Sequence, residues 1–200
     1  MIRSFTAADL LTIGNAACGT LAVLLCLDYL VGADNRHMWA VFLLLPCALV
    51  FDVLDGYVAR LSRSRQSRLG ADLDSLADVI SFGVAPAVVG FALGLNGGWD
   101  LLVLTYFVVC GVSRLARFNA TSEALSDPTT GKVRYFEGTP IPTSIVIVVV
   151  LAAAFFTRRV GDDVWFGAVT IGPAVLHPLV LLYGLSGSAM VSATLRIPKP

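Results

Sequence analysis

The chain has 200 residues, 56% of them hydrophobic and 14% charged, with a mean hydropathy of +0.80. Soluble domains carry about 25% charged residues, so this composition excludes an ordinary soluble globule and predicts an integral membrane protein. Lys and Arg balance Asp and Glu at 14 each, which leaves no basic excess for nucleic acid, and no such partner is expected.

In chain order, residues 1–9 read as a short interfacial helix with Ser4 or Thr6 as caps. A bilayer crossing takes about 20 mostly apolar residues. Six stretches qualify, near 10–31, 38–60, 71–95, 99–118, 141–157 and 163–185. The first is too long for a secretory signal and has no clear small-residue cleavage site. Pro140 and Pro142 bound the fifth, and Ser186-Gly187-Ser188 bounds the sixth. No period-2 alternation recurs, which argues against a β-barrel. The expected fold is an all-α membrane protein of six transmembrane helices, with residues 1–200 forming one membrane-embedded domain.

The cations are unevenly spread. With both termini inside, eleven Lys and Arg fall on the cytoplasmic side, four of them in the hairpin 60–68, against Arg36, Arg158 and Arg159 outside. This distribution obeys the positive-inside rule for an even number of spans and places the hairpin beside anionic headgroups. Residues 119–139 form the longest polar connection, on the same side. Cys18, Cys26, Cys47 and Cys110 lie within spans without metal-ligand spacing, as small residues packing between helices do. His37 falls in a loop and His177 in the last span; neither has a partner nearby in sequence, so both read as structural.

Five acids interrupt this apolar pattern: Asp52, Asp55, Asp72, Asp74 and Asp78. A carboxylate at membrane depth costs roughly 2.5–3.5 kcal/mol or more, so a cluster demands a compensating cation. Asp52 and Asp55 are three apart and Asp74 and Asp78 four apart, so each pair shares one helical face. Antiparallel helices across a short hairpin bring those faces to one depth. Hard oxygen ligands favour Mg²⁺, Mn²⁺ or Ca²⁺ over zinc or copper, and two such ions suit phosphoryl transfer. Asp72 lies about 200° around the helix from Asp74 and is expected to pair with an arginine. Gly56 and Ala59 leave room beside the acids, and Arg60, one turn on, can reach a phosphate. Intramembrane acids also line cation pathways in transporters, but those commonly show inverted repeats, which this chain lacks.

The run Asp52-x2-Asp55-Gly56-x2-Ala59-Arg60, followed by Gly70-x3-Asp74-x3-Asp78, resembles the signature of the CDP-alcohol phosphotransferase family. Nine residues separate Arg60 from Gly70, one more than that signature usually has, and the hairpin can absorb the extra residue. The resemblance covers about residues 10–155 and extends to the phosphatidylserine synthase branch. It includes Thr12-Ile-Gly-Asn15-Ala-Ala-Cys-Gly19, Asp74 to Pro86, Arg114-Leu-Ala-Arg117-Phe-Asn119 and Gly138-Thr-Pro-Ile-Pro142.

The resemblance implies a homodimer of six-helix bundles in the cell membrane, with a polar cavity open to the cytoplasm and a two-metal site of Mg²⁺ or Mn²⁺. Asp52, Asp55, Asp74 and Asp78 would ligate the ions, and Asp78 would also act as general base. Gly56, Ala59, Arg60, Gly70, Thr12 and Asn15 would line the CDP-lipid site. Arg114, Arg117 and Asn119 would meet the acceptor. The implied substrates are CDP-diacylglycerol and L-serine. Other alcohol acceptors or an ether-lipid donor would leave much the same pattern.

Overall fold

A computed structural model describes residues 6–32, 34–61, 68–125, 135–192, 194 and 196–198. The side chains of 68, 121–125, 135–137, 162 and 196–198 are excepted. Expectations for Arg3, Ser4, Arg63, Arg65, Lys132, Arg134 and Lys199 therefore lie outside the described residues.

Helix α1 (Ala7–Gly32) opens on a capping box: the Thr6 N–H donates to Asp9 Oδ2 at 2.6 Å, and the Asp9 N–H donates to Thr6 Oγ1 at 3.3 Å. Residues 7–9 thus begin the first span, and the separate interfacial helix expected over 1–9 is not formed by its described part. The buried side of α1 runs Asp9, Thr12, Asn15, Gly19, Ala22, Cys26, a stripe at three- and four-residue steps. α2 (Asn35–Leu61) returns antiparallel with its own stripe of Met38, Val41, Leu45, Ala48 and Asp55. Asp52 continues the same spacing, so the acids sit on the face that α2 turns inward. Pro46 interrupts the α2 hydrogen-bond ladder mid-span.

The third span is three pieces end to end. α3 (Arg68–Asp78) runs into a π-helix at Val79–Val84, closed by the Ala85 N–H donating to the Ile80 carbonyl, and then into α4 (Ala85–Ala92). Pro86, at the start of α4, has no N–H to carry the wider turn further. Its carbonyl is held by the Tyr183 hydroxyl at 2.6 Å. α5 (Gly98–Leu125) follows a tight turn in which Gly94 adopts φ +117°. A Cβ on Gly94 would stand 2.8 Å from the Gly161 backbone nitrogen, which itself donates to the Leu93 carbonyl.

Among the described residues, four helices are long and apolar enough to cross a membrane: Ala7–Gly32, Asn35–Leu61, Leu69–Ala92 and Gly98–Ala120. The remaining apolar helices, Ile141–Phe156 and Pro178–Val191, are shorter. The first combines a 3₁₀ turn at Ile141–Ser144 with α6 (Ile145–Phe156). Corrections to the expected all-α plan follow after α6. Residues expected to open a sixth span at 163 form a hairpin of β2 (Val169–Ile171) and β3 (Ala174–Leu176). The last helix, α7 (Leu181–Val191), begins only after the 3₁₀ turn Pro178–Val180 and contains Ser186-Gly187-Ser188 rather than ending there. The apolar run 164–176 includes Gly167, Gly172 and Pro173, residues that break a helix and turn a hairpin. On the opposite side, β1 (Tyr135–Glu137) pairs antiparallel with β4 (Arg196–Pro198).

Both histidines have partners that sequence proximity does not show. His37 Nδ1 lies 3.2 Å from Asp28 across the α1–α2 turn. His177 anchors the β2–β3 hairpin: its ring Nδ1 stands 2.5 Å from Asp100 Oδ2, and its backbone N–H donates to Asp100 Oδ1 at 2.8 Å. The Gly97 N–H completes the set on Oδ2 at 2.8 Å, so the fully buried Asp100 carboxylate is satisfied. Replacing Asp100 by Ala strands all three donors in the interior. The expected loss is about 3–5 kcal/mol, read as a lower melting temperature in detergent with the acidic cluster unaltered.

Of the four cysteines, Cys26 and Cys110 are buried, Cys18 and Cys47 half-buried, and all are free thiols packed between helices.

Candidate active site

The acids of the C-terminal half of α2 and of α3 are drawn together beside α1, which packs against both helices. Asp52, Asp74 and Asp78 each present a carboxylate oxygen within 4.8 Å of the others. Asp78 is buried and Asp52 and Asp74 half-buried. Ionised carboxylates this close repel by roughly 3–4 kcal/mol per pair at an effective dielectric near 20, so the trio calls for positive charge between its members. Asp74 Oδ1 is buried without a hydrogen-bond partner, an oxygen left free to ligate. The donor set is all hard oxygen, and it fits a small divalent cation of the Mg²⁺ or Mn²⁺ type.

Asp55 stands beside the trio rather than within it. Its Oδ2 accepts from the Thr12 hydroxyl at 2.6 Å, and Asp9 lies close enough for its charge to be felt. Asp72 is exposed, turned off the face of Asp74 and Asp78 as its spacing requires, and makes no ion pair with a described residue. Gly56 opens the α2 face next to these acids: a Cβ there would meet nothing within 4 Å. Ala59 is half-buried and Arg60 exposed in the last turn of α2, and Gly70 is half-buried in the first turns of α3. α2 ends at Leu61 and α3 starts at Arg68, and the hairpin expected to absorb the extra residue lies between them, outside the described residues. The Gly70–Asp74–Asp78 helical spacing stays intact.

Helix α5 supplies the other wall. Asn119 Nδ2 donates to Ser75 Oγ at 2.9 Å and Ser75 Oγ–H returns to Asn119 Oδ1 at 3.3 Å, which ties α5 to α3 beside Asp74. Arg114 is buried, within electrostatic reach of Asp78, with its guanidinium carbon 5.7 Å from the Phe118 ring centroid. Its Nε has no hydrogen-bond partner. Arg117, one turn on, is half-buried. A buried guanidinium with an idle N–H next to acids is equipped to hold an anionic group.

Residues 5–183 match the family profile described as CDP-alcohol phosphatidyltransferase. The chain belongs to that family. Among its relatives, CDP-diacylglycerol–serine O-phosphatidyltransferase of Saccharomyces cerevisiae is 39% identical across all of this chain and 73% of its own length. Archaetidylserine synthase of Methanothermobacter thermautotrophicus is 40% identical over 74% of this chain and 58% of the relative. The serine O-phosphatidyltransferase of Mycobacterium leprae is 43% identical over 64% of this chain and 43% of the relative.

In this CDP-alcohol phosphatidyltransferase, sequence reading passed over three features of the site. Asp9 was not counted among the acids, although Thr6-x-x-Asp9 is a helix-start signature that could have marked it. Ser75 was read only as part of a motif, and the π-helix that follows Asp78 was not foreseen. Ser81-Phe82-Gly83 just ahead of Pro86 was the available signal for irregular winding there.

Proposed function

We propose that the chain transfers the phosphatidyl group of CDP-diacylglycerol to the hydroxyl of L-serine, releasing CMP. The observation that carries this reading is the convergence of Asp52, Asp74 and Asp78 at the family's signature. The serine acceptor is supported by the relative aligned along the whole chain. Asp52, Asp74 and Asp78, with Asp55 alongside, would hold two divalent cations, which when bound neutralise the pyrophosphate and the departing CMP.

The chain's own groups do the rest. Gly56 leaves space for the donor headgroup against α2, and Arg60 takes a phosphate charge. Arg114, with Arg117, holds the serine carboxylate, and Asn119 keeps α5 and α3 in register through Ser75. Asp78 accepts the proton of the serine hydroxyl as that oxygen forms its bond to the phosphorus bearing diacylglycerol. The phosphorus–oxygen bond to CMP breaks, and the CMP phosphate keeps that electron pair. Catalysis is then mostly positioning and charge stabilisation.

The proposal extends to topology. The helices Ile141–Phe156 and Pro178–Val191 would complete six crossings, and the eleven-to-three cation asymmetry would put both termini and the acids on the cytoplasmic side. A homodimer in the membrane, as the family resemblance implies, belongs to the same proposal.

The test is CMP release and lipid product from solubilised protein with CDP-diacylglycerol, Mn²⁺ and labelled serine. Glycerol 3-phosphate, inositol phosphate and choline serve as competing acceptors, and an ether-linked donor as the competing lipid. Serine is expected to be preferred; equal turnover with the other alcohols refutes the acceptor assignment. Arg114→Ala is expected to raise the serine KM about 10- to 100-fold, the value of one or more charge-assisted hydrogen bonds, with the CDP-diacylglycerol KM little changed.

A further inference from the structure

One face of α1 touches both acid-bearing segments. Thr12, Asn15 and Gly19 share that face by their three- and four-residue spacing. Thr12 holds Asp55 of α2, as described above. Asn15 Nδ2–H donates to Asp78 Oδ1 of α3 at 3.4 Å. The Asn15 backbone carbonyl accepts from Ser81 Oγ–H at 2.9 Å, in the π-helix that begins directly after Asp78. A Cβ at Gly19 would stand 2.3 Å from Ser81 Oγ and 2.7 Å from Ser81 Cα, so only glycine lets the π-helix seat this closely. One asparagine therefore grips Asp78 by its side chain and the turn behind Asp78 by its backbone.

Asn15 is fully buried, and its Oδ1 has no hydrogen-bond partner. A buried carboxamide with an idle oxygen is less stable than a hydrocarbon of the same shape. Packing alone would favour leucine at this place. What the amide adds is an N–H for a carboxylate oxygen, and that requirement fixes which end of it faces Asp78.

We infer that Asn15 is a positioning residue for the transfer reaction. It holds Oδ1 of Asp78 and so keeps the other oxygen turned toward the acceptor hydroxyl, its long hydrogen bond tightening once substrate is in place. Asn15 neither gives nor takes a proton. The inference rests on Asp78 being the base in the function proposed above.

Asn15→Leu keeps the branched shape and the number of heavy atoms, though its methyls are bulkier than the amide, and removes both polar atoms. Its kcat for CMP release is expected to fall about 10- to 100-fold, as when supporting partners of active-site ligands are lost. The KM for CDP-diacylglycerol stays within about twofold. The melting temperature in detergent stays at or above that of the wild type. Asn15→Asp, of the same shape but with a second carboxylate and no N–H, is expected to lose at least as much kcat. A wild-type kcat in Asn15→Leu overturns the inference, and so does a fall in melting temperature that accounts for the lost activity. Serine-dependent CMP release by the wild type is the separate control. If another alcohol is the substrate, the acceptor assignment fails and the Asn15 comparison is made with that alcohol.

Discussion

Asp78→Asn is expected to lower kcat for CMP release by about 10²–10⁴-fold, the usual contribution of a positioned general base. The substitution keeps the side chain's shape in a buried place at the end of α3, so the fold is retained. It removes the one group that combines burial, a supporting N–H from Asn15 and a place in the acid trio. Binding of CDP-diacylglycerol depends on Gly56, Arg60 and the other acids, so its affinity is expected to change by only a few-fold. Single-turnover CMP release beside equilibrium binding of the CDP-lipid separates the two quantities. Turnover within tenfold of wild type refutes Asp78 as the base.

Chelation is expected to be nearly as severe. EDTA should bring CMP release to background, and Mn²⁺ or Mg²⁺ should restore it. Without a cation, three carboxylates within 4.8 Å oppose one another and an anionic donor as well. Asp74→Asn removes one ligand charge and the idle Oδ1, so half-maximal activity should require at least tenfold more Mn²⁺. Crystals soaked in Mn²⁺ should show anomalous density between α2 and α3. Full activity after exhaustive chelation contradicts the assignment of these acids.

The acid cluster was legible in the sequence because membrane composition makes every carboxylate conspicuous and helical spacing tells which of them share a face. Asp74 and Asp78 share a face as their four-residue step requires and Asp52 meets them, whereas Asp55, three residues on from Asp52, stands aside with Thr12, and Asp72 turns away. The four long spans were equally readable from their apolar length. The sixth was not, because hydrophobicity alone does not separate a helix from a hairpin, and Gly167, Gly172 and Pro173 were outweighed by their apolar neighbours. The pairing of His177 with Asp100 spans 77 positions, beyond any local pattern. Thr12 and Asn15 were recognised as polar residues belonging to the site. That they address Asp55 and Asp78 depends on how α1 lies across α2 and α3.

The wide turn at Val79–Val84 also divides the chain into places where length is free and places where it is not. Within the wide turn, deleting one residue would let the coil tighten to ordinary winding. Five residues at about 100° each turn the chain nearly as far as six in the wider coil, so Asp74 and Asp78 would keep their heading relative to the stretch that Tyr183 anchors at Pro86. A residue deleted between Asp74 and Asp78 has no such slack to draw on, and that variant could span the bilayer as well as before with one acid turned about 100° away from the other.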